Sequence, residues 1–176
     1  MFNIRTTSIN DASLILQFIY ELAAYQKLED QVTGTLEDIK NTLFCDNPQA
    51  YVLVIEVDNE PVGFILYHKS YSTFLCKYCL HIDDLYVREG YRGQGYGEAL
   101  VKAVCDVAYE QGCGRVDWLV LDWNQPAIDF YKHIGATELG EWKVFRLNHD
   151  DIERLVIKNP KQLSSTSIID CLGGRV

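Results

Sequence analysis

At 176 residues the chain suits one domain, large enough to bury a core of its own. Hydrophobic residues make up 48 % and charged residues 23 %, with a formal net charge of -9; that charge sets nucleic acid aside as a partner and favours a cationic ligand or plain solubility. No stretch approaches the roughly 20 apolar residues of a membrane span, and the start Met1-Phe2-Asn3-Ile4-Arg5 lacks a secretion signal's basic end and apolar run, so the six cysteines are expected to be reduced thiols of a cytoplasmic protein.

In chain order, Phe2 to Thr6 reads as a first strand. Asn10 or Asp11 is placed to cap a helix whose Leu14, Ile15, Phe18, Ile19 and Leu22 share one face. A polar stretch through Gly34 leads to a second helix, about Leu36 to Leu43. Tyr51 to Val57 and Val62 to Tyr67 are β-branched and aromatic, and Asp58-Asn59 between them predicts a hairpin. Cys76-Lys77-Tyr78-Cys79 is a lone CxxC with no second ligand pair, which reads as incidental thiols. A strand from Cys79 to Val87 runs into the glycine-rich segment Arg92-Gly93-Gln94-Gly95-Tyr96-Gly97, followed by a helix with Leu100, Val101, Val104, Val107 and Ala108 on one stripe and closed by Gly112.

Val116 to Leu121 is the next strand, apolar enough to predict a central position buried on both faces. Asn124 caps a short helix with Pro126 in its first turn, and Gly135 closes it. A strand pair is expected from Thr137 to Leu147 around Gly140, then a helix turn from Asp150 to Val156. From Asn159 on, a Ser/Thr/Gly-rich tail carries little pattern, so the domain is read as residues 1–158 and the tail as 159–176. The order β-α-α-β-β-β-α-β-α-β-β predicts a single mixed α/β sheet.

The glycine run carries the first functional inference. Glycines between a strand and a helix remove Cβ atoms, so several N–H groups can face one cluster of ligand oxygens at the positive end of the helix dipole. That is an anion site, most naturally for a pyrophosphate. A nucleotide P-loop is set aside because Gly97 is followed by Glu98, with no Gly-Lys-Ser/Thr. A dinucleotide site is disfavoured by the spacing Gly93-x-Gly95-x-Gly97, by its place past mid-chain, and by Asp117 lying inside a strand. On the loop alone, a glycine-rich turn without a ligand stays open.

Arg92-x-x-Gly95-x-Gly97 after a strand ending in Val87 resembles the coenzyme A signature of the GNAT N-acetyltransferase superfamily. Asp122-Trp123-Asn124-Gln125-Pro126-Ala127-Ile128-Asp129-Phe130-Tyr131-Lys132, with Gly135-Ala136 beyond, looks like that superfamily's second cofactor motif. Within it, Glu21-Leu22-Ala23-Ala24-Tyr25, Glu29-Asp30-Gln31-Val32 and the run from Asn124 to Tyr131 resemble the diamine (spermidine/spermine) N-acetyltransferases. The resemblance implies a mostly antiparallel sheet flanked by helices, in which the strands at 79–87 and 116–121 form a splayed parallel pair that holds acetyl-coenzyme A. It implies cofactor contacts from Leu85, Tyr86, Val87, Arg92, Gly93, Gln94, Gly95, Tyr96, Gly97, Glu98, Asn124, Ala127 and Tyr131. It also implies a homodimer and a small-molecule amine as acceptor.

Acetyl transfer to an amine requires loss of the ammonium proton, a donor for the developing oxyanion, and an acid for the departing thiolate. Tyr131 lies about two turns along the short helix from Asn124, and a phenol keeps its proton at neutral pH; the resemblance makes it the general acid. Asp83 and Asp84 are costly inside an apolar strand unless hydrogen-bonded or functional, the alternative being a bulge or edge position where both acids meet solvent. Asp83 is the candidate base, directly or through water, standing where the polyamine enzymes carry a glutamate. Tyr25, Gln26, Asp83, Asp84 and Glu141 are candidate acceptor contacts, with Glu21, Glu29 and Asp30 as further acids of the groove; Gln26 replaces an acid of the polyamine enzymes. His68, His81, His133 and His149 are too scattered in sequence to suggest a metal, and none is predicted, although His81 shares the active strand and can assist proton transfer. Another amine acceptor (an amino acid, an aminoglycoside, a protein N-terminus) and a non-catalytic acyl-coenzyme A sensor remain as alternatives.

Overall fold

The computed structural model describes residues 1–158 and divides into two compact units, Met1–Gly135 and Ala136–Val176. In the first, β1 (Phe2–Thr6), β2 (Ala50–Val57), β3 (Glu60–Ser72), β4 (Lys77–Val87) and β5 (Val116–Trp118) form one sheet in the order β1-β2-β3-β4-β5. The first four pair antiparallel and β5 runs parallel to β4, giving the expected mixed α/β sheet. Helices α1 (Ala12–Gln26), α2 (Leu36–Leu43), α3 (Tyr96–Glu110) and α4 (Gln125–His133) accompany it.

The run Val52 to Ile55 explains the layering. Alternate side chains of a strand face opposite sides, so Val52 and Val54 pack with Ile15, Phe18, Leu22 and Ile39 of α1 and α2. Leu53 and Ile55 pack with Leu100, Val101 and Val104 of α3 on the other face. Phe18 and Phe64 stack at 5.3 Å between ring centroids, both fully buried. The β2–β3 turn has Asp58 at φ 50° and Asn59 at φ 67°, the paired left-handed residues of a type I′ hairpin.

Three local expectations need correction. The strand read as Val116 to Leu121 ends at Trp118 and lies at the sheet's edge among the described residues, with Leu119 exposed. Its partner explains this: beside Asp83 the β3–β4 register shifts from Tyr67↔Ile82 to Leu66↔Asp84, so Asp83 is the extra residue of a bulge, and a bulge bends and twists the strand that carries it. Residues 136–148 hold no strand; adjacent Val144 and Phe145 break the period-2 alternation, and both stay exposed, so no buried face fixes a register. Finally, Asp11 holds the expected N-cap position of α1 but makes no side-chain cap hydrogen bond there, because its carboxylate turns back to the Ser8 N–H (2.8 Å) and to Arg5 (2.8 Å). In the second unit the expected turn at 150–156 is the longer helix α5 (His149–Lys158). The tail at 159–176 lies outside the described residues.

Candidate active site

The pairing of β4 creates the site. Its ladder with β3 continues to Val87, but its ladder with β5 covers only Leu80 to Ile82. From Asp83 to Val87 one edge of β4 therefore has no strand partner among the described residues, and its outward N–H and C=O groups can take an extended ligand. The edge leads straight into the glycine loop. Gly93 sits at φ 73° and Gly95 at φ 84°, and a Cβ added at either would meet nothing within 4 Å. Backbone conformation, not crowding, requires glycine there, and the space before the loop is open.

Gly95 precedes α3, whose first intrahelical bond runs from the Ala99 N–H to the Gly95 carbonyl (2.9 Å). The N–H groups of the preceding turn have no intrahelical acceptor and stand at the positive end of the helix dipole. A donor set of this kind fits a diphosphate.

Arg92 ties the loop to two other elements. Its Nε donates to the Val87 carbonyl (2.8 Å), and its guanidinium lies over the Tyr25 ring at 4.5 Å and the Tyr86 ring at 5.7 Å. Tyr25, at the end of α1, donates from its hydroxyl to Asn124 Oδ1 (3.0 Å). Asn124 is buried, and its carbonyl accepts from Ala127 (3.1 Å) and Ile128 (3.0 Å) to open α4. The side chain expected to cap α4 is thus held by Tyr25 instead. One phenol links α1, the loop and α4.

α4 lies against the start of α3: a Cβ on Gly97 would stand 3.7 Å from Phe130 Cζ. The next residue, Tyr131, packs its ring on Trp118 at 5.0 Å between centroids. Trp118 is registered with Ile82, the last position before β4 and β5 part. Burial pushes the Tyr131 phenol up to about 12, so it keeps its proton throughout the physiological range.

The bulge sorts the two acids. Asp83 is exposed, with Oδ2 3.8 Å from His68 Nε2. Asp84 is partly buried, and desolvation, then the neighbouring Asp83 charge, pushes its carboxyl up to about 6. His68 and His81, far apart in the chain, are register partners across β3 and β4 with ring centroids 5.2 Å apart. Sequence separation hid this pairing; the lengths of the two hairpin strands were the signal that could have found it.

The acids expected to line an acceptor groove are not all available to a cation. Glu21 receives two hydrogen bonds from Arg88 (3.0 and 2.9 Å), which hold its carboxyl below the usual carboxylate range. Gln26, half-buried, ends α1, and Glu29 and Asp30 are exposed on the turn that follows. Glu141 lies in the unit that begins at Ala136.

The family profile described as Acetyltransferase (GNAT) family matches residues 17–136, which span the open edge of β4, the glycine loop and α4. The chain belongs to the GNAT acetyltransferase family. It is 38 % identical over 166 residues to thialysine N-epsilon-acetyltransferase of Bos taurus, covering 88 % of this chain and 97 % of that protein. It is 33 % identical to the human spermidine/spermine N(1)-acetyltransferase-like protein 1 over 86 % of this chain but 23 % of that protein. Among solved structures, an integron cassette protein from the mobile metagenome of V. cholerae superposes with a TM-score of 0.73 at 24 % identity, over 88 % of this chain and 97 % of that one. This GNAT protein is an N-acetyltransferase, and the likeness to diamine-type relatives read from Glu21–Tyr25 and Asn124–Tyr131 agrees with the relatives found. No helix among the described residues is long and apolar enough to cross a membrane.

Proposed function

We propose that the protein transfers the acetyl group of acetyl-coenzyme A to the terminal primary amine of a short lysine-like or diamine acceptor, by direct attack. The observation that carries this reading is the parting of β4 from β5 after Ile82, which opens an edge leading into the positive-φ glycines at the start of α3. The N–H groups from Gln94 to Glu98 would hold the diphosphate, and the edge from Leu85 to Val87 the pantetheine arm. When bound, this group supplies an activated thioester.

The residues of the chain supply position and proton handling. Tyr131 keeps its proton at Oη and directs it at the departing sulfur. A phenol held near 12 is a weaker acid than a thiol of reference pKa about 8.5. Its chief contribution is therefore a hydrogen bond that strengthens as negative charge grows on sulfur. Asp83, exposed beside the open edge, attracts the ammonium and passes its proton to solvent through water.

Charge accounting favours a short acceptor. Arg88 neutralises Glu21, and Gln26 stands where polyamine enzymes carry an acid, so a long polycation finds fewer partners than a molecule with one remote charge. Thialysine, the substrate named for the bovine relative, has that form.

The test compares thialysine, lysine, ornithine, putrescine and spermine in a thiol-release assay with wild type and Tyr131→Phe. Thialysine or ornithine should lead the panel, and Tyr131→Phe should lower kcat about 100-fold or more while still binding coenzyme A. Turnover of spermine alone would overturn the short-acceptor reading. Unchanged kcat in Tyr131→Phe would remove Tyr131 from the chemistry.

A further inference from the structure

The geometry points to a binding site for a divalent transition metal ion of the zinc type, formed by His68, His81 and Asp83 at the bulge of β4. The ligand atoms of these three side chains all lie within 4.8 Å of one another. The two imidazoles are a registered cross-strand pair, so the sheet fixes their spacing. The carboxylate comes from the bulge residue, the one position on β4 not bound to the alternation of the ladder. A tetrahedral ion with bonds near 2.0–2.2 Å spaces its ligands roughly 3.3 Å apart. His68 Nε2 and Asp83 Oδ2 already stand at 3.8 Å, and Asp83 is exposed enough to swing inward.

A second feature has the character of a metal site. His68 Nδ1 lies 3.1 Å from the Lys69 carbonyl oxygen. Donating its proton there leaves the Nε2 lone pair facing His81 and Asp83, and metal-binding histidines are oriented by outer hydrogen bonds of this type. Two imidazoles and one carboxylate suit zinc, cobalt or nickel, whereas calcium and magnesium prefer oxygen alone. Three protein ligands leave a fourth position to water.

On the acetyl-transfer reading, an ion here takes the Asp83 carboxylate away from the ammonium and inhibits turnover in competition with the amine. Binding itself is tested without amine or thioester, so the two ideas can fail separately.

The full chain is titrated with Co(II), followed by visible d–d absorption and by equilibrium dialysis, then with Zn(II) in displacement. His68→Gln, His81→Gln and Cys76→Ser are titrated in parallel after circular dichroism shows that each is folded. The expected result is one ion per chain, no thiolate charge-transfer band, binding unchanged in Cys76→Ser, and affinity about 10-fold or more weaker in either histidine variant. No saturable Co(II) binding, a thiolate band, or wild-type affinity in both histidine variants would overturn the site. Zn(II) should also inhibit wild-type turnover less as amine concentration rises. Tight binding without inhibition would leave the site standing and detach it from the chemistry.

Discussion

Tyr25 and Tyr131 are both half-buried phenols, and the proposed function gives them different tasks. Tyr131 has its ring on Trp118 and its proton held firmly by burial, so its loss should be felt in rate. Tyr25 spends its hydroxyl on Asn124 and its ring face on Arg92, which is a positioning task. Tyr25→Phe should keep the stacking, lose about 1 kcal/mol of stability, and weaken coenzyme A binding more than it lowers kcat; thermal melts and calorimetry read the two effects. The place of Tyr131 on α4 was legible because its motif is contiguous from Asn124. The cross-strand meeting of His68 with His81 was not, since it depends on a register that only the assembled hairpin sets. The Arg88–Glu21 pair escaped for the same reason: an acid on a helix reads as a groove ligand until its cation appears from a distant part of the chain, here the residue just past β4.

The secondary elements through α4 were largely readable, down to the limits of α2 and the turn at Asp58-Asn59, because period and turn chemistry agree there. Elements failed where an apolar run had no ladder to join, at residues 119–121 and 137–147. Two glycines test the frame around the open edge. A Cβ at Gly63 would stand 2.5 Å from the Tyr86 carbonyl oxygen, inside the strand that carries the site. Gly63→Ala should therefore push β4 away from β3, cost about 1–3 kcal/mol as overpacking does, and lower cofactor affinity, as denaturant melts and calorimetry would show. Gly95→Ala meets no such neighbour. Its left-handed conformation alone should cost about 1–2 kcal/mol, and binding should weaken as the loop relaxes to avoid it.

Across the whole first unit, stability in acid depends on carboxylates held by arginines. Arg5 pairs with Asp11 and Glu56, and Arg88 with Glu21. Arg88 lowers the Glu21 carboxyl and Arg5 that of Asp11, so each bond contributes above the unfolded carboxylate range near pH 4 and is lost as pH falls through the folded value. Glu21→Gln should be about 1 kcal/mol less stable than wild type at pH 7, with the difference closing below about pH 4; urea melts at both pH values check the sign.

On the proposed reading, the β4 edge from Asp83 to Val87 and the loop from Arg92 to Gly97 form one continuous seat for a thioester carrier. Hydrogen–deuterium exchange with and without acetyl-coenzyme A tests it most directly. Slowed exchange in both segments together, alongside a saturating one-to-one calorimetric isotherm, is the predicted result. Binding that leaves both segments exchanging as before, or no binding at all, would contradict it.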